Sequence, residues 1–165
     1  MAITYEPIAT YTATGSVATY TFSSISSAYT DLVLIINAKG ASSSNNRIQF
    51  NGDTANNYSR IIAYGTGSVT FSGTTSNFAN IPIDGIASLD TSNFNYNSVT
   101  SIQNYANSTT FKTTLTRANN AATGTDVNVG TWRSTAAITS VTIFTSDSGN
   151  YASGSTFTLY GIKAA

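Results

Sequence analysis

The chain of 165 residues has no cysteine and no histidine. The first absence excludes a disulfide framework, thiolate metal ligands and a cysteine nucleophile. The second removes Ser-His-Asp catalysis, histidine-ligated zinc and general acid–base work by imidazole. Charge is nearly as scarce. Seven Lys and Arg stand against seven Asp and Glu, together 8% of the residues with a formal net charge of zero, where an average domain carries about 25%. Lys39, Arg47, Arg60, Lys112, Arg117, Arg133 and Lys163 are spread singly along the chain. The basic patch that supplies most affinity for duplex nucleic acid is therefore missing. No apolar run approaches the ~20 residues of a membrane span. The opening Met1–Pro7 lacks the basic start and apolar core of a signal peptide. Neither a direct nucleic-acid partner nor a membrane is expected. There is no P-loop and no dinucleotide fingerprint.

What is present is strand chemistry. Ser, Thr and Asn make up roughly two residues in five, well above average usage, so hydroxyls and amides take the place of charge on the polar faces. Ten Tyr, eight Phe and one Trp accompany them. Apolar and polar residues alternate in stretch after stretch, the mark of half-buried strands. The candidates are Ile3–Thr12 (bent at Pro7), Val17–Phe22, Asp31–Lys39, Arg47–Phe50, Tyr58–Tyr64, Ser68–Phe71, Asn77–Ile83, Phe94–Tyr105 and Thr110–Arg117. The apolar run Leu32–Ile36 reads as a central strand buried on both faces. In Thr110–Arg117, the residues Phe111, Thr113 and Leu115 are expected to point inward. The block from Val127 to Lys163 reads as two long strands, Ile138–Phe144 and Ser155–Ile162, closing the fold as a hairpin. Ile81–Leu89 has room for one helical turn. Nine or ten strands at this spacing predict an all-β, antiparallel sandwich or barrel in one domain over residues 1–165, long enough to fold without metal or disulfide.

The aromatic residues Phe22, Phe50, Phe71, Phe111, Phe144, Phe157 and Trp132 are expected in the core. Tyr5, Tyr11, Tyr58, Tyr64 and Tyr151 lie near ends and loops, where they suit a subunit contact or a ligand. Most aspartates fall where turns are expected, Asp84 and Asp126 among them, and turn chemistry outweighs an acid–base role. Asn51-Gly52-Asp53 and Asp147 with Asn150 offer oxygen ligands without EF-hand spacing, and read as solvated loops. No catalytic residues, no metal and no cofactor are expected, and the chain is not read as an enzyme. A neutral, strand-rich chain with free sheet edges is prone to aggregate, so its edges are expected to be covered by other subunits.

Three stretches resemble small tailed-bacteriophage virion proteins, many of them from phages of cyanobacteria and other aquatic hosts. These are Ala18–Ile25 leading into Tyr29–Leu34, then Ile48–Asp53 with Asn57–Ser59, and finally Trp132–Thr139 with Gly154–Ile162. The resemblance implies a jelly-roll β-sandwich that serves as a virion structural part. Such proteins are commonly trimeric decoration or cement proteins on the head exterior, clamping neighbouring subunits of the major capsid protein. They are made in the host cytoplasm during assembly. Related sandwiches sit on tail fibres as receptor-binding or carbohydrate-binding tips, with host glycan as partner. The motifs are strand and turn residues and carry no active site. Ile3, Tyr5, Glu6 and Pro7 are expected to form a partner-contacting arm or edge strand within residues 1–12. Arg47 and Arg60, which flank strand stretches, are the further contact candidates.

Overall fold

The computed structural model describes residues 4–91 and 95–163. Twelve strands run in chain order: β1 (Tyr5–Thr12), β2 (Thr19–Phe22), β3 (Asp31–Ala38), β4 (Asn46–Phe50), β5 (Tyr58–Gly65), β6 (Thr70–Phe78), β7 (Ile81–Pro82), β8 (Tyr96–Gln103), β9 (Lys112–Asn120), β10 (Gly124–Trp132), β11 (Val141–Thr145) and β12 (Thr156–Ile162). One sheet has the order β1-β12-β3-β8-β9-β10-β5-β6 and the other β2-β11-β4-β7. The set β1-β12-β3-β8 opposite β2-β11-β4-β7 has the strand order of an eight-stranded jelly roll. The fold is thus the antiparallel jelly-roll-like sandwich expected. The other four strands are two hairpins, β5–β6 and β9–β10, which join through β5 and β10 and extend the larger sheet beyond β8.

Alternation in the jelly-roll strands follows the two-residue period. β4 and β11 bury Asn46, Ile48 and Phe50 and Val141, Ile143 and Thr145, and β12 buries Phe157 and Leu159. The apolar ones among them join Leu32, Leu34 and Ile36 of β3 in the core between the sheets. Trp132 closes one side of the core with ring centroids 5.6 Å from Phe50 and 6.1 Å from Tyr58. Tyr11 stacks on Tyr20 at 4.1 Å and joins the β1 and β2 edges of the two sheets.

Several expectations need correction. The chain does not close on a hairpin: β11 lies between β2 and β4, whereas β12 lies between β1 and β3 in the opposite sheet. The connecting segment crosses the end of the sandwich, held by Ser146 N–H to Asn45 O (2.9 Å) and Tyr151 N–H to Val17 O (2.7 Å). Alternation identifies a half-buried strand but carries no address for its sheet. In β3 burial on both faces ends at Val33, and Ile35 is 37% exposed. Residues 77–83 do not form one strand: Asn77 and Phe78 end β6, which extends from Thr70, and Ile81–Pro82 form the two-residue β7. No helical turn forms over Ile81–Leu89. Asn51 and Gly52 adopt left-handed φ angles of 53° and 65° in a tight turn, which leads from β4 to β5 in the other sheet. Phe94, expected at the start of β8, lies outside the described residues.

Candidate interaction surface

The extension hairpins reverse the usual polarity of a strand. β9 buries Lys112, Thr114, Thr116, Ala118 and Asn120, and β10 buries Asp126, Asn128, Gly130 and Trp132. The apolar neighbours point to solvent: Phe111 is 55% exposed, Leu115 44%, Val127 47% and Val129 45%. The expected inward phase of Phe111, Thr113 and Leu115 is therefore wrong.

The reason lies in what covers the inner face. Here it is the irregular segment 83–91, whose peptide groups have few ladder partners and need side-chain ones. Asp126 supplies them: Oδ2 accepts from Gly85 N–H (2.7 Å) and Ala87 N–H (2.9 Å), and Oδ1 from Ile86 N–H (3.2 Å). Asn128 Nδ2 donates to Ile83 O (2.9 Å) and Asn120 Nδ2 to Ser88 O (2.8 Å). Gly130 leaves room for β7, since a Cβ there would stand 2.7 Å from Ile81 Cγ2 and 2.5 Å from Thr114 Oγ1. Once these polar groups turn inward, the two-residue period sends Leu115, Val127 and Val129 outward.

The outward residues line up across strands. Leu115 is opposite Val129, which is opposite Ile61 of β5. One row over, Ile35, Val99, Arg117, Val127 and Ala63 follow one another from β3 to β5. A third row holds Asn37, Asn97 and Asn119, and Asn37 Nδ2 donates to Asn97 Oδ1 at 2.8 Å. Between the second and third rows runs an open trough of about 660 Å³. Arg117 is the one charge within its two apolar rows. At about 4.8 Å between strands, the second row from β3 to β5 spans roughly 19 Å.

The carboxylates nearest this region are spent on structure. Asp84 is buried, with Oδ1 accepting from Asn45 Nδ2 (2.9 Å) and Oδ2 from Asn46 N–H (2.9 Å) and Asn46 Nδ2 (2.5 Å). Burial pushes its pKa up to about 7 against the pull of these donors. Asp84 and Asp126 are thus interior anchors and not the turn residues expected. Asp53 does sit in a turn, accepting from Ala55 N–H and Asn57 Nδ2, and it also takes the Trp132 Nε1 proton at 2.7 Å.

The six contact candidates do not share a surface. Ile3 lies outside the described residues. Tyr5 (57% exposed) and Pro7 stand on β1, the outermost strand of the larger sheet. Glu6 meets Lys163 Nζ at 2.7 Å, and that bond holds its carboxyl below the usual range. Arg47, on the smaller sheet, donates to Asn80 Oδ1 at 3.0 Å. Arg60 stands six strands from β1, roughly 29 Å away. Its guanidinium faces inward to Pro82 O, Asp84 O and Asn128 Oδ1. Of the tyrosines proposed for contacts, Tyr58 and Tyr151 are fully buried, Tyr11 packs against the core and Tyr64 stacks on Phe71 at 5.2 Å. Among the expected core aromatics Phe71 is 60% exposed, as Phe111 also is in majority. Sequence reasoning missed Ile61, Leu115, Val127 and Val129. The signal was the alternation Asp126-Val127-Asn128-Val129 beside Thr114-Leu115-Thr116, which fits either phase.

No protein-family model, no curated protein and no solved structure matches the chain.

Proposed function

We propose that this chain is a structural protein of a tailed-phage particle, attached to the head exterior, where it bridges neighbouring subunits of the major capsid protein and stabilises the shell. The observation that carries this reading is the apolar field on the outer face of the extension, with Leu115, Val129 and Ile61 in register beside Val127 and Ile35. A contiguous apolar surface on a rigid sheet is what a protein partner covers. The resemblance of both ends and the first third of the chain to phage virion proteins supplies the setting. The mechanism is mechanical: added contact area opposes the pressure of packaged DNA. Contacts through apolar side chains, hydroxyls and amides weaken little with salt, whereas ion pairs are screened. The protein acts as a homo-oligomer.

A carbohydrate-binding tail tip would draw on exposed aromatic faces gathered at one end. Here Trp132, Tyr58, Tyr96, Tyr105 and Tyr151 are buried. Of the exposed aromatics, Tyr5 stands on β1, Phe71 and Phe78 on β6 at the opposite edge of that sheet, and Phe111 just before β9. The geometry therefore favours the head reading. Cryo-electron microscopy of the particle that carries this chain tests it. Hundreds of copies over the capsid are expected, and particles lacking the protein should release DNA at lower temperature. A few copies at the tail, or none on the particle, would overturn the reading.

A further inference from the structure

The two sheets have four edges, and among the described strands three are blunted. β1 carries Pro7, which has no N–H to donate, and its register with β12 shifts between Pro7 and Ala9. β2 has four residues. β7 has two, one of them Pro82. β6 is different: its nine residues, Thr-Phe-Ser-Gly-Thr-Thr-Ser-Asn-Phe, include no proline and no charge. From Thr70 to Thr75 it pairs with β5 without interruption, and the irregularity comes only between Thr75 and Phe78. Apolar side chains flank this edge in the open, with Val69 67%, Phe71 60% and Phe78 37% exposed. A long, uncharged strand edge with free peptide groups is a template for another strand.

We propose that β6 is a self-pairing edge: a second copy of this chain adds its own β6 antiparallel to the first across a two-fold axis. The occupant follows from charge and from the other edges. β6 offers no charge with which to select a foreign partner, and with no charge on either strand two copies meet without repulsion. Within a second copy the blunted β1, β2 and β7 are poor acceptors, which leaves β6. A two-fold pair also closes on itself, so both open edges are used up and no fibre grows. The larger sheets of the two copies then become one, with the apolar outer faces continuous across the junction. This contact goes beyond the decoration reading and does not depend on it. It also differs from the trimer that the phage resemblance implies.

Sedimentation of the full chain tests it. The native protein is expected at twice its 17.3 kDa chain mass. The double substitution Ser72→Lys with Thr74→Lys, which places like charges along both edges, should return it to the single-chain mass with a melting temperature within a few degrees of native. A monomeric native protein, a trimer, or a double variant that keeps the native mass would overturn the proposal. Hydrogen exchange of the unaltered protein gives an independent reading should the variant not fold. The amides of residues 70–75 that point away from β5 should exchange at least ten-fold faster when the protein is diluted below its dissociation range. Exchange there that is independent of concentration would also overturn it.

Discussion

Leu115 and Val129 stand directly opposite each other on β9 and β10, and both side chains face solvent. Neither residue belongs to the buried core. Leu115→Gln with Val129→Thr should change stability by no more than about 0.5 kcal/mol per site, as surface substitutions usually do. Under the decoration reading the same variant should lose at least ten-fold in retention on heads that lack the native protein. Thermal melting and co-sedimentation with such heads measure the two effects. Full retention would remove this face from the contact.

Asp126 holds three successive peptide N–H groups of the segment that covers β9 and β10. In Asp126→Asn one oxygen becomes an NH2 group aimed at an N–H donor, and the charge that strengthens the remaining bonds is lost. A loss of about 2–4 kcal/mol is expected on these grounds, read from urea unfolding. A loss below about 1 kcal/mol would mean that the segment is held by its other bonds.

Asp84 should leave a signature in the pH dependence of stability. Burial raises its carboxyl to about 7, from an ordinary value of 3.8. Below the ordinary value folded and unfolded chains both hold the proton. Between there and about 7 only the folded chain does, so folding takes up a proton and this group's contribution falls as pH rises across that window. Asp84→Asn removes the titration. Urea midpoints of the variant from pH 4 to 7, set against those of the native protein, should therefore follow a flatter or more upward course. Parallel curves would show that Asp84 keeps an ordinary pKa.

The buried phenols set the alkaline limit. Burial raises Tyr58, Tyr96 and Tyr151 well above the ordinary value of 10. Above pH ~10 the unfolded chain ionises these groups while the folded chain does not, so stability is lost as pH climbs further. In a spectrophotometric titration of the ten tyrosines, these three should stay silent until the protein unfolds, and then ionise together. Smooth titration of all ten near pH 10 with the fold intact would contradict their burial.

Strand class and much of the core were legible in the order of residues. Alternation in Arg47–Phe50 and in Ser155–Ile162 placed Ile48, Phe50, Phe157 and Leu159 inside, and each is fully buried. Scarcity of charge and the absence of cysteine and histidine narrowed the chemistry before any geometry was known. Tertiary structure decided what a two-residue period leaves open. The period is symmetric: it says that one face of β9 or β10 is buried, not which. The choice fell to residues 83–91, 32 to 45 positions away along these bonds, whose peptide groups draw Asp126, Asn128 and Asn120 inward and so put Leu115, Val127 and Val129 outside. The same reason explains why β11 and β12 looked like one hairpin. Each alternates correctly, but sheet membership depends on β2, β4, β1 and β3, contacts 91 or more residues away that no local pattern records. The candidate surface was hidden for this cause, because its apolar residues carry the pattern of a core.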